Sequence, residues 1–174
     1  MGDIKSTLDI VMEKTKHLTL TDEERKAQKK DEMTNKVRGL IQRCLDGTID
    51  VYRMKHDIEA FAGDRRDETM ALLIELCVKN FDLLKDNGVL LQILEEVAQL
   101  DPAPFQQVLS SFEETMKKGY HKAQVRLSHA LKEKGISGSA VVPNVDADQE
   151  WQHELSRMEK TFKEALSSVQ RNPV

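Results

Sequence analysis

Apolar positions recur every three or four residues along most of this chain, and the pattern predicts one helix after another. Ile4, Leu8, Val11, Thr15 and Leu18 form a narrow stripe along a first amphipathic helix over residues 1–20. Thr21 followed by Glu24 is a capping box, and it starts a second helix that runs to about Leu45. The first half of that helix, D-E-E-R-K-A-Q-K-K-D-E, is charged on every face, so packing falls to Met33, Val37, Leu40, Ile41, Cys44 and Leu45. A shorter helix follows, with Val51, Met54, Ile58 and Phe61 on one face and Gly63 closing it.

The run M-A-L-L-I-E-L-C-V-K-N-F-D-L-L, residues 70–84, is apolar all round the wheel, as expected of a helix enclosed by others. Asp86-Asn87-Gly88 turns the chain into another amphipathic helix that reaches Leu100. Asp101-Pro102 then restarts helix, with proline in the first turn, where its missing N–H costs nothing. From there only Gly119 interrupts good helix formers up to Lys134, and Phe105, Leu109, Phe112, Met116, Ala123, Leu127 and Ala130 mark the packing side.

The segment G-I-S-G-S-A-V-V-P-N-V, residues 135–145, has no charged side chain. Its Ile136, Val141, Val142 and Val145 favour burial, and Pro143 holds the chain extended, so 135–147 reads as an apolar strap. It either docks across the helices or offers an extended edge to another chain by strand addition. Asp148 caps a last helix whose Trp151, Leu155, Met158, Phe162, Ala165 and Val169 keep strict four-three spacing, the pattern of a coiled-coil seam. That seam can pair with the N-terminal stripe, with a second chain, or with the central helices.

These elements amount to an all-α, multi-helix bundle. The expected organisation is an N-terminal helix over 1–20, a helical core over 21–134 with one long helix from about 102 to 134, the strap over 135–147, and an amphipathic C-terminal helix over 148–174. Composition agrees, since the apolar set is mostly aliphatic and Lys and Glu dominate the charged set, with one Trp among 174 residues. Cys44 and Cys77 stand far apart inside helical patterns and read as buried reduced thiols, which points to a cytoplasmic protein. No apolar run approaches the roughly 18 residues of a membrane span.

No motif for phosphate, zinc, calcium or an acyl nucleophile occurs, so no catalytic, cofactor or metal site is expected. Glu150-Trp151-Gln152-His153 matches the Glu-x-x-His pattern of di-metal bundles once, where two copies and two further carboxylates are needed. Charge is more informative. Residues 90–114 hold Glu95, Glu96, Asp101, Glu113 and Glu114 with no Lys or Arg, whereas 117–134 hold six basic residues against Glu133. Lys118, Lys122 and Arg126, extended by His129, form a basic ridge that can run along the phosphates of a nucleic acid. The same asymmetry suits antiparallel association of two copies. Seams and charge blocks therefore point to a non-catalytic protein-protein interaction or adaptor protein, self-associating as a homodimer. A nucleic-acid- or ribosome-associated protein is the alternative, and an enzyme or metal-binding bundle a more distant one.

Overall fold

The computed structural model describes residues 21–171, so the helix expected over 1–20 lies outside the described residues. Six α-helices and one 3-10 turn follow in order: α1 Asp22–Leu45, α2 Val51–Ala62, the turn Gly63–Arg65, α3 Arg66–Asn80, α4 Gly88–Glu96, α5 Ala103–Glu133 and α6 Gln149–Arg171. The fold is an all-α multi-helix bundle.

Local chemistry sets most of the boundaries. The Thr21 hydroxyl accepts from the Glu24 N–H, and the Glu24 carboxylate accepts from the Thr21 N–H at 2.7 Å, which satisfies two of the otherwise unpaired donors of α1. Asp50 accepts from the Arg53 N–H and starts α2 in the same way. The Asp101 carboxylate accepts from the Ala103 N–H at 2.9 Å as α5 begins. Asp148 accepts from the Trp151 N–H at 2.9 Å and starts α6.

The helix expected over 70–84 is displaced: α3 begins at Arg66 and stops at Asn80. The chain leaves the helix because the Asn87 side chain organises a loop, accepting from the Asp82 N–H and donating to the carbonyls of Asp82 and Lys85. Phe81 and Leu83 are buried from this loop rather than from a helix face. The Lys163 ammonium of α6 donates to the Phe81 carbonyl at 2.8 Å and to the Lys79 carbonyl at 3.2 Å, closing the C-terminus of α3 from outside.

Helices α1 to α4 form the body, with α3 packed on α1, α2 and α4. Val37, Met54, Ile58, Leu73, Cys77, Ile93 and Leu94 are buried at its centre. The first half of α1, through Glu32, is exposed at every position, as its charge pattern requires. Helix α6 packs on both α3 and α5, while α5 packs mainly on α6. The Phe81 and Phe105 rings stack with centroids 5.9 Å apart and fix the start of α5 to the body.

Candidate interaction surface

Helices α5 and α6 run antiparallel, as three contacts in opposite order show: Phe112 meets Phe162, Gly119 meets Trp151, and Arg126 meets Asp148. With 31 residues, α5 spans about 46 Å. Beyond Phe112 its partners are in α6 or in the approach to it: Trp151 reaches Gly119 and Tyr120, and Arg126 reaches Asp148 and Glu150. The distal part of the pair is thus a two-helix hairpin, and residues 134–148 are its tip.

The C-terminal seam lies inside this hairpin. Trp151, Met158 and Phe162 are buried, Leu155, Ala165 and Val169 are half-buried, and Leu166 is buried as well. The interface expected on this seam is therefore an interface within the chain. Leu166 lies outside the four-three stripe because α6 faces two helices, and its apolar face is correspondingly wider than a two-stranded seam.

The basic ridge is largely neutralised. Arg126 pairs with Asp148 and, at 2.6 Å, with Glu150. Lys118 stands 3.5 Å from Glu114, and His129 stands 3.4 Å from Glu133. The Trp151 N–H, together with the Arg126 guanidinium, holds the Asp148 carboxyl below the usual carboxylate range. Lys122 alone of the four ridge residues has no carboxylate partner among the described residues. Arg126 is thus a clamp between α5 and the start of α6 rather than part of an open cationic track.

The strap also departs from expectation. Val145 is 1% exposed and Pro143 is buried, but Ile136, Val141 and Val142 are exposed, Val142 at 76%. Their high apolarity therefore does not come from docking across the helices. Gly135 at φ 74° and Gly138 at φ 150° let the chain leave α5 and double back, so the tip is two turns followed by an extended stretch over 141–144. Lys132 and Lys134 flank it and, like Lys122, take part in no ion pair among the described residues. The sequence singled out the valines, but not that these lysines would remain unpaired beside them.

Among the described residues, no group of three His, Cys, Asp or Glu side chains is placed to hold a metal ion. Cys44 and Cys77 are buried free thiols, and burial pushes the Cys77 thiol up to about 12. No described helix is long and apolar enough to cross a membrane. Comparison with known proteins gave no matching family model, curated protein or solved structure.

Proposed function

We propose that this is a non-catalytic helical interaction protein that presents the tip of the α5–α6 hairpin to a protein partner. The observation that supports this most is the exposure of Ile136, Val141 and Val142 on an uncharged segment beside three unpaired lysines. Exposed aliphatic side chains gathered on one loop and rimmed by charge are a feature of association surfaces. The extended backbone at 141–144 adds a strand-like edge to which a partner can hydrogen-bond. A cytoplasmic adaptor fits this reading, as do the free cysteines. The nucleic-acid alternative has less in its favour, because three of its four ridge residues already face carboxylates.

The test replaces Ile136, Val141 and Val142 together with serine and compares proteins retained quantitatively by wild type and variant, a second copy included. The expected result is a defined set of partners lost in the variant with little change in melting temperature. An unchanged set would reject the reading.

A further inference from the structure

We infer that the partner at the tip is a second copy of this chain, docked antiparallel so that each tip sits on the other's hairpin base. The inference rests on the interaction reading above and assigns its occupant.

Charge is the first support. Glu95, Glu96 and Asp101 lie at the base, all exposed, and none takes part in an ion pair among the described residues. Lys122, Lys132 and Lys134 lie toward the tip, equally exposed and unpaired. One chain therefore offers an unneutralised acidic patch and an unneutralised basic patch, and opposite patches steer and orient association.

Length is the second. The patches stand at opposite ends of α5, about 46 Å apart for its 31 residues. Antiparallel pairing along that length brings both tip-to-base contacts together at once. The result is a closed two-fold pair, whose self-complementary surface does not propagate into filaments.

The base also holds an unfilled apolar niche of about 70 Å³, lined by Ile74, Leu100, Pro104, Phe105 and Val169, with Asp101 at its edge. A drug-sized ligand needs roughly 300 Å³ or more, so the niche suits one short aliphatic side chain. Val142, 76% exposed and near Lys134 in sequence, supplies such a side chain next to a cation that matches Asp101.

Sedimentation of the full chain over a concentration series tests this, with the substitution pairs Lys132→Glu with Lys134→Glu, and Glu95→Lys with Glu96→Lys. Wild type is expected to dimerise, less so as salt rises. Each charge-reversed variant is expected to associate at least about tenfold more weakly, and an equimolar mixture of the two to recover the dimer, because reversal on both sides restores attraction. Val142→Cys combined with Pro104→Cys is expected to give a covalent dimer on mild oxidation, since within one chain these positions lie about one α5 length apart.

A wild-type monomer throughout, or a dimer indifferent to charge reversal, would overturn the assignment. So would a monomer that dimerises only after removal of residues 172–174, which would give the niche to the chain's own end beside Val169. A wild-type monomer whose tip still holds another protein, lost in the serine variant, overturns the second copy and leaves the interaction reading standing. A monomer with no tip-dependent partner rejects both.

Discussion

The Cβ that Gly119 lacks would stand 2.9 Å from Cζ3 of Trp151, so the indole of α6 lies directly against the backbone of α5. Tyr120 meets the same ring edge-on, with centroids 5.6 Å apart. A glycine that weakens the longest helix is thereby the residue that lets the hairpin close.

Two glycine substitutions are expected to have opposite signs. Gly39→Ala in α1 meets nothing within 4 Å and is expected to stabilise by about 0.5–1 kcal/mol, the helical advantage of alanine. Gly119→Ala gains the same propensity but drives a methyl into the indole, and is expected to destabilise by a net ~1–2 kcal/mol. Urea unfolding of both variants measures the difference.

The strap divides in the same way. Val145→Ala removes buried methyls and is expected to cost roughly 1–3 kcal/mol. Val141→Ser with Val142→Ser alters exposed side chains and is expected to shift stability by no more than about 0.5 kcal/mol. Equal losses in thermal melts would mean that the tip is docked after all.

The Arg126 clamp gives a pH dependence. The folded-state pKa of Asp148 is depressed, so its contribution is complete above the unfolded carboxyl value, about 3.9. That contribution is lost as pH falls through the lower folded-state value. Asp148→Asn keeps a capping side chain but loses the charge, and is expected to melt lower than wild type at neutral pH, with the gap closing in acid. A gap that persists into strong acid would show that the ion pair is not its source.

Cys77 has the opposite sense. A thiol held up to about 12 favours the folded state fully below the unfolded value near 8.5, and this advantage is lost as pH rises toward the folded value. A thiol-specific reagent at mildly alkaline pH is expected to leave Cys77 unmodified in the native protein and to label it completely in denaturant. Rapid native labelling would mean that the core around α1 and α3 opens readily.

Helix positions were legible because their signals are local: Thr21, Asp50 and Asp148 each meet an N–H three residues on. The loop after Asn80 was not, because the apolar run continues through Leu84 and the interruption depends on how Asn87 folds back. The seam of α6 was visible, but not whether its cover came from within the chain. The fate of the basic ridge was hidden for a related reason: Arg126 finds Asp148, a partner 22 residues away, only once the hairpin has formed. Sequence periodicity shows which faces are apolar, whereas pairing between elements decides which charged and apolar groups remain free.

The most direct test of the account places a photo-crosslinking side chain at position 142 of the tip and, separately, at position 52, where Tyr52 is 78% exposed on the body. Adducts to a second copy are expected from position 142, suppressed by Lys132→Glu with Lys134→Glu, and few from position 52. Equal yields from the two sites, or none from position 142, would contradict an interaction surface at the hairpin tip.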